Sequence, residues 1–257
     1  MSDRAGLRDE IIRLGPWHFD IEVADGLTTA VSLEAPPGTY PESFGPVGIQ
    51  DNRAQFHNRL RQLYRQGLEG RTVLDPACNG GAYLFWAREV GAGDCFGCDV
   101  REHWIRQARF LQEHRPDGDR IRFEVMDVYD LPELGLEPFD ITIFTGLFYH
   151  LADPVSGLKI AADLTNELMI FDTATKWGMD DDSLVVAHEG TEALMLGVHG
   201  LNWVPSGPAV VERILRWTGF TDTQVMRRVQ TGPDSGRVGI LASKRPGLLD
   251  VFRDDSA

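Results

Sequence analysis

Three acidic residues stand at the ends of successive short apolar runs, where strands of a parallel sheet would end. Asp75 ends the first run, Asp99 ends the second, and Asp127 follows the third. A carboxylate at the second position can accept hydrogen bonds from both hydroxyls of a ribose, and one at the third can accept from the amino group of adenine. Because the carboxyl ends of parallel strands meet at one edge of a sheet, the three acids predict a nucleoside pocket there.

The loop after Asp75 consists of small residues and opens a predicted helix. Its sequence, Pro76-Ala77-Cys78-Asn79-Gly80-Gly81, lets a ligand approach the backbone, and the free N–H groups of the helix can bind a carboxylate such as that of a methionine moiety. The chain lacks the G-x-G-x-x-G pattern of dinucleotide sites, which favours S-adenosylmethionine (SAM). Ala77 stands where a D-x-G-x-G pattern would have glycine. The predicted cofactor-binding residues are Asp75, Ala77, Cys78, Gly80, Asp99, Val100, Asp127, Val128 and Thr145.

The segment that follows the fourth predicted strand carries the candidate catalytic residues, Tyr149 and His150. Because SAM carries its own leaving group, an enzyme has to align the acceptor oxygen and remove its proton. An imidazole suits that proton transfer near neutral pH, so we predict His150 as the general base. The alternative for His150 is a cap of the next helix or a hydrogen-bonded core position. Tyr149 is included in the catalytic set, although packing or contact with SAM suits it better than the role of a base.

A long stretch of weak periodicity, residues 176–206, follows the fifth predicted strand and is expected to form a lid or binding insertion. Its polar and aromatic residues suit a sugar, since tryptophan stacks on pyranose rings and asparagine binds hydroxyls. An ordinary surface loop explains the same composition. The candidate substrate residues are His188, Glu189, His199, Asn202 and Trp203. Mg²⁺ is a further option, with oxygen ligands from Asp172, Asp180–Asp182 and Glu189, but no fixed spacing supports it and the metal is left unknown.

Short apolar runs alternate with helical patterns from Thr72 onward, which is typical of a mostly parallel sheet. Seven strands are predicted at Thr72–Asp75, Asp94–Asp99, Ile121–Val125, Phe139–Thr145, Leu168–Asp172, Thr223–Arg228 and Val238–Ser243. Helices are predicted at Ala82–Val90, Arg101–Glu113, Pro154–Leu164 and Pro208–Thr218. The last two strands should form an antiparallel hairpin, and this ending predicts the α/β, Rossmann-like fold of class I methyltransferases. We expect an N-terminal arm and helix over 1–70 and a SAM-binding domain over 71–257.

The composition of the chain restricts which partners and which cellular location are expected. The net charge of −14 disfavours binding to a phosphate backbone, so nucleic acid is not the expected partner. Arg59, Arg61, Arg65 and Arg71 are interpreted as a solvated helix face. The chain has no apolar run long enough to span a membrane and no secretory pattern at Met1–Arg13, which predicts a soluble, cytoplasmic protein. Three cysteines, Cys78, Cys95 and Cys98, are expected to be core thiols.

Several motifs of the chain are similar to those of a known group of enzymes. They are Leu74-Asp75-x-x-Cys78-Asn79-Gly80-Gly81, Phe139-Asp140, Leu147-Phe148-Tyr149-His150-Leu151-x-Asp153-Pro154, and, near the N-terminus, Trp17-His18-Phe19-Asp20-Ile21 with Gly26-Leu27-Thr28-Thr29. They resemble the methyltransferases related to the tRNA wobble-uridine carboxymethyl- and methoxyuridine enzymes, a group with similarity to actinobacterial sugar and polysaccharide O-methyltransferases. The resemblance implies SAM as cofactor and O-methylation as reaction.

The acceptor is inferred from charge and from the insertion rather than from the resemblance. The first hypothesis is a SAM-dependent O-methyltransferase that acts on a hydroxyl of a sugar or oligosaccharide, mannosides included, or of a similar small acceptor. The alternative is a tRNA wobble-uridine methyltransferase. A second alternative is a non-catalytic SAM-binding partner subunit. The oligomeric state is left open.

Overall fold

The computed structural model describes residues 4–253 of the chain. The N-terminal part contains helix α1 (Arg4–Leu14), the two-stranded sheet β1 (Glu22–Ala24) and β2 (Leu27–Thr28), and helix α2 (Arg53–Leu63). On α1, Leu7 and Ile11 lie one turn apart and are buried, as expected for an amphipathic helix. Trp17 follows α1 and is buried, with its indole N–H donating to the carbonyl oxygen of Ile11 at 2.8 Å.

Residues 73–243 contain nine strands and four helices. The strands are β3 (Val73–Asp75), β4 (Cys95–Asp99), β5 (Ile121–Val125), β6 (Phe139–Thr145), β7 (Thr165–Lys176), β8 (Leu184–His188), β9 (Leu201–Pro205), β10 (Asp222–Gly232) and β11 (Ser235–Ser243). The helices are α3 (Ala82–Glu89), α4 (Glu102–His114), α5 (Pro154–Asp163) and α6 (Pro208–Trp217). The seven predicted strands and four predicted helices are therefore present, with ends shifted by up to four residues.

Seven of these strands form one sheet in the order β10-β11-β7-β6-β3-β4-β5. The strands from β7 to β5 pair in parallel, whereas β11 runs antiparallel to both β7 and β10. The predicted hairpin therefore joins β10 to β11, and β11 is the strand that contacts the parallel part. This arrangement confirms the predicted Rossmann-like fold and brings the ends of β3, β4, β5 and β6 to one edge.

Period-two burial of the strands creates two apolar layers, one on each face of the sheet. Val73 packs in the layer with α3, α4 and the N-terminal residues, whereas its neighbour Leu74 packs in the layer with α5 and α6. Cys95 and Cys98 fall in opposite layers in the same way, and both are buried free thiols. The N-terminal arm shares the first layer, so it contributes to the same core as the sheet.

The insertion after β7 differs from the unpatterned loop that the sequence predicts. It contains a two-stranded antiparallel sheet, β8 with β9, whose residues are half-buried or exposed except for the buried Pro205. Asp181 precedes this sheet and accepts hydrogen bonds from the backbone N–H groups of Ala209 and Val210 in α6. The segment between the two strands, residues 189–200, is called the cover segment below. Among residues 4–253, no helix has the length and apolar character that a membrane span requires.

Candidate active site

The loop after β3 turns sharply because two of its residues adopt left-handed backbone angles. Asn79 has φ of 52° and Gly81 has φ of 84°. A Cβ on Gly81 would lie 2.8 Å from the ring of Phe123, so glycine is required both by its conformation and by this close approach. Asp75 is 2% exposed at the base of the loop and accepts a hydrogen bond from the N–H of Ala77. Burial raises the pKa of Asp75 to about 8.

Asp99 ties the end of β4 to that loop. Its carboxylate accepts hydrogen bonds from the backbone N–H of Asn79 at 3.1 Å and of Arg101 at 3.0 Å. Burial raises the pKa of Asp99 to about 6, and the two N–H donors oppose that shift because they stabilise the charged form. The carboxylate is therefore fixed in orientation beside the loop.

Asp127 at the end of β5 pairs with the cover segment. Its Oδ2 lies 3.0 Å from Nε2 of His199, and its Oδ1 accepts from the N–H of Tyr129 at 3.2 Å. The ring of Tyr129 contacts His199 edge to face, at 5.8 Å between centroids. His199, predicted as a substrate residue, therefore lies on the side of the site where adenine is expected.

One cavity of about 500 Å³ joins these strand ends, a volume within the range of small-molecule sites. Ten predicted residues line it: Ala77, Cys78, Asp99, Val100, Asp127, Val128, Thr145, Tyr149, His150 and His199. Asp75, the last residue of β3, and Gly80, in the loop after it, are not part of this lining. His188, Glu189, Asn202 and Trp203 are also outside the lining, so the predicted sugar-binding set is not brought together at the cavity.

His150 and Glu189 form a hydrogen-bonded pair at the wall of the cavity. Nδ1 of His150 lies 2.8 Å from Oε2 of Glu189, whose side chain is almost fully buried. Glu189 also accepts from the N–H of Gly197 at 3.1 Å and from the side-chain amide of Asn202 at 3.1 Å. Within residues 4–253, Nε2 of His150 has no hydrogen-bond partner. The carboxylate therefore fixes the imidazole through one nitrogen and leaves the other for a ligand in the cavity.

Gly197 allows the cover segment to approach His150. A Cβ at this position would lie 2.7 Å from Oε2 of Glu189 and 2.9 Å from both Cβ and the carbonyl oxygen of His150. A side chain there would displace either the histidine or its carboxylate partner. Arg101 holds the same segment from the β4 side, because its guanidinium donates to the carbonyl oxygens of Thr191 and Leu196, at 3.0 Å each.

The opposite side of the cavity contains two arginines that sequence reasoning missed, together with Asp172, which the sequence suggested only as an optional Mg²⁺ ligand. Asp172 at β7 pairs with Arg227 at 2.8 Å and with Arg237. Nη1 of Arg237 lies 3.5 Å from the hydroxyl of Tyr149, and its guanidinium lies over the Tyr149 ring. Tyr149 therefore has a cationic neighbour, a contact between residues far apart in sequence that no local pattern signals.

The N-terminal arm and α2 complete this side, which is called the acceptor side below. His18, Asn52 and Arg59 line the cavity. Burial lowers the pKa of His18. The interpretation of the arginine cluster as a solvated face holds for Arg61 and Arg65, which are exposed. It is wrong for Arg59, which lines the cavity. It is also wrong for Arg71, which lies after α2 and pairs with Glu167. A helix turns only some of its positions outward, and the sequence spacing alone did not show which.

The structure gives the proposed Mg²⁺ ligands other partners. Asp172 is paired with arginines, Asp181 caps α6, and Glu189 holds His150. Within the part of the chain that the structure describes, no three histidine, cysteine or acidic side chains converge as a metal site requires. The remaining predicted substrate residues lie elsewhere: His188 is exposed, Asn202 supports Glu189, and Trp203 is half-buried with an indole nitrogen that has no partner among residues 4–253.

Comparison with known proteins decides the family. A model described as a methyltransferase domain matches residues 68–194. A tRNA U34 carboxymethyltransferase from Pseudomonas putida (strain W619) is 31% identical over 227 residues, which are 85% of this chain and 68% of the relative. The chain belongs to the class I SAM-dependent methyltransferases. This membership confirms the prediction that SAM is the cofactor.

In a second relative, a smaller share of the length aligns with this chain. A tRNA U34 carboxymethyltransferase from Campylobacter hominis is 38% identical over 92 residues, 36% of this chain and 31% of the relative. The chain thus spans from 31% to 68% of the length of these two curated relatives. The N-terminal domain of EvdMO1 with SAH bound has the same fold, with a TM-score of 0.73, 20% identity, and coverage of 95% of this chain and 98% of that one.

Proposed function

We propose that this methyltransferase transfers a one-carbon group from SAM to an oxygen of its acceptor, with His150 as general base. The observation that carries the proposal is the His150–Glu189 pair, which holds an imidazole at the cavity wall with Nε2 unpartnered among the described residues. SAM supplies a methyl group on a sulfonium sulfur and departs as a thioether. His150 accepts the proton of the acceptor hydroxyl as the oxygen attacks, and Glu189 stabilises the imidazolium that forms.

The strand ends supply the residues for SAM. Asp99 accepts from the ribose hydroxyls, while Asp127 and Val128 serve the adenine ring. The backbone at Ala77 and Cys78 runs beside the methionine part of SAM. Thr145 lies at the end of β6, between the cofactor-binding side and the acceptor side of the cavity. Asp75 and Gly80 act indirectly, because they shape the loop that Asp99 holds.

The wobble uridine of tRNA is the acceptor with most support. The curated relatives are named for carboxymethyl transfer to tRNA U34, and one of them matches 85% of this chain. These relatives argue against our expectation that nucleic acid is not a partner. The name also makes carboxymethyl the alternative to methyl as the transferred group, so an assay should compare SAM with a sulfonium donor that carries carboxymethyl.

A sugar hydroxyl is the second candidate acceptor. The net charge of −14 favours it, since RNA binding by an acidic protein depends on a local basic surface. Purified protein should be incubated with donor and either tRNA whose wobble uridine already carries a ring hydroxyl or an oligosaccharide panel, and product mass identifies the group and the acceptor. A gel shift in which tRNA does not bind even at low salt would reject the uridine acceptor. No product from any acceptor, with SAH bound tightly, would favour the non-catalytic alternative.

Two substitutions test the proposed base. His150→Ala should lower kcat by roughly 10²- to 10⁴-fold because no group then takes the proton. Glu189→Gln should lower kcat by about 10²-fold because the imidazolium loses its counter-charge. SAH affinity, measured by calorimetry, should change little in both. His114→Ala and Glu192→Gln, on exposed positions, are the controls. A His150→Ala enzyme with full activity would remove this residue from the reaction.

A further inference from the structure

Among residues 4–253, Arg59 differs from the other arginines that line the cavity because its guanidinium makes no hydrogen bond or ion pair. Arg101 donates to two carbonyl oxygens of the cover segment, and Arg227 and Arg237 both pair with Asp172. The guanidinium of Arg59 makes no hydrogen bond or ion pair with residues 4–253, although it lines the acceptor side. Burial of a cation that makes no ion pair costs free energy, and a bound anion would offset that cost.

The acceptor side carries an excess of positive charge. Arg59, Arg227 and Arg237 face it, and among the described lining residues Asp172 is the carboxylate on this side. Asp99 and Asp127 lie across the cavity, on β4 and β5. One aspartate therefore balances one of three guanidinium groups, in a protein whose net charge is −14.

The other described lining residues add no carboxylate to this side. Burial and, more weakly, the nearby Arg227 lower the pKa of Arg59, whereas Tyr83 and Asp172 act to raise it; burial also lowers the pKa of His18. Burial raises the pKa of Tyr83, so its hydroxyl stays protonated near neutral pH. Gln55 lies one helical turn before Arg59 and lines the same side, where its amide can donate to an oxygen.

We propose that Arg59 and Arg227 form an oxyanion subsite that binds a phosphate or carboxylate group of the acceptor. Arg227 uses one terminal nitrogen for Asp172, so its other donors are available to a ligand. Two guanidinium groups beside one cavity suit an oxyanion because each can donate two parallel hydrogen bonds. The subsite would help to define the acceptor of the proposed reaction. It rests on the proposed function in one respect, because the acceptor has to occupy the acceptor side of the cavity.

Ligand-induced stabilisation tests the subsite without requiring turnover. SAH-saturated protein is heated in inorganic phosphate, acetate or chloride at equal ionic strength, and the rise in Tm gives the apparent affinity for each anion. Phosphate or acetate should stabilise the wild-type protein above chloride. A larger effect of phosphate indicates a phosphate-bearing acceptor such as RNA, and a larger effect of acetate indicates a carboxylate.

Substitutions of single arginines show where the stabilising anion binds. Arg59→Gln should weaken the anion effect by about tenfold or more, since it removes a charge-assisted donor pair. Arg59→Lys should retain part of the effect, and it serves if the glutamine variant folds poorly. Arg61→Gln, on the exposed face of the same helix, should leave the effect unchanged. SAH affinity should be equal in all variants, so loss of SAH binding would instead count against the proposed function.

Two results would overturn the subsite. One is a wild-type protein that neither phosphate nor acetate stabilises beyond chloride. The other is an anion effect that survives in Arg59→Gln but is lost in Arg65→Gln, because Arg65 lines a separate smaller cavity with Arg71 and Arg245.

Discussion

At the scale of single residues, the site depends on carboxylates whose surroundings fix their direction. Asp99 is the clearest, because two backbone N–H groups hold it beside the loop after β3. Glu189 uses the same device, with three donors that include His150. Such carboxylates need no reorganisation when a ligand binds, which preserves binding energy.

Asp99 is expected to contribute directly to cofactor affinity. Asp99→Asn should weaken SAH binding by roughly 10- to 100-fold, because the charged acceptor for the ribose hydroxyls is lost. Calorimetric titration with SAH measures the change. Asp94→Asn is the matched control, since Asp94 is an exposed acid immediately before the same strand. Equal SAH affinity in both variants would exclude the ribose contact.

At the scale of elements, the cover segment connects the cofactor side to His150, the proposed base. Glu189 contacts His150, His199 contacts Asp127, and Arg101 holds two carbonyl oxygens between them. Close packing at Gly197 keeps this arrangement in place.

Gly197→Ala should therefore reduce catalysis. The added methyl meets His150 and Glu189 at less than 3 Å, so the pair has to separate. We expect kcat to fall by about tenfold or more, as for a misaligned base. Gly190→Ala is the control, because the nearest atom to its Cβ is the end of Leu196 at 3.5 Å, an ordinary contact. If the two alanine variants had the same kcat, close approach at Gly197 would have no catalytic importance.

The elements also show what sequence could and could not predict. Strand β6 was predicted with both ends correct because its run is apolar and its burial nearly continuous. The β8–β9 sheet was missed because its residues are partly exposed on both faces, which removes the alternation that marks a strand. Residues near strand ends, such as His150, could be found from their place after a strand. Arg59 and Arg237 could not, because they reach the cavity through folding of distant segments.

At the scale of the whole molecule, burial of acidic groups links stability to pH. The pKa of Asp75 is about 8 in the folded protein, above the ordinary carboxyl value. The folded state therefore binds this proton more tightly than the unfolded state does. The contribution of Asp75 to the free energy of unfolding is retained at low pH and decreases as pH rises from about 4 to about 8.

Asp75→Asn should remove this pH dependence. The difference in Tm between the variant and the wild-type protein should grow in favour of the variant from pH 5 to pH 8, measured without SAH. Asp130→Asn, at an exposed position, should follow the wild-type curve. A constant Tm difference across this range would mean that Asp75 titrates normally in the folded protein.

The proposed role of Glu189 limits how the insertion after β7 can be changed. On the proposed mechanism, a new insertion supports catalysis only while it still brings a carboxylate to Nδ1 of His150. Exchange of this segment between homologues would therefore alter substrate preference and turnover together, and a chimaera regains activity when its donor loop carries an equivalent acid.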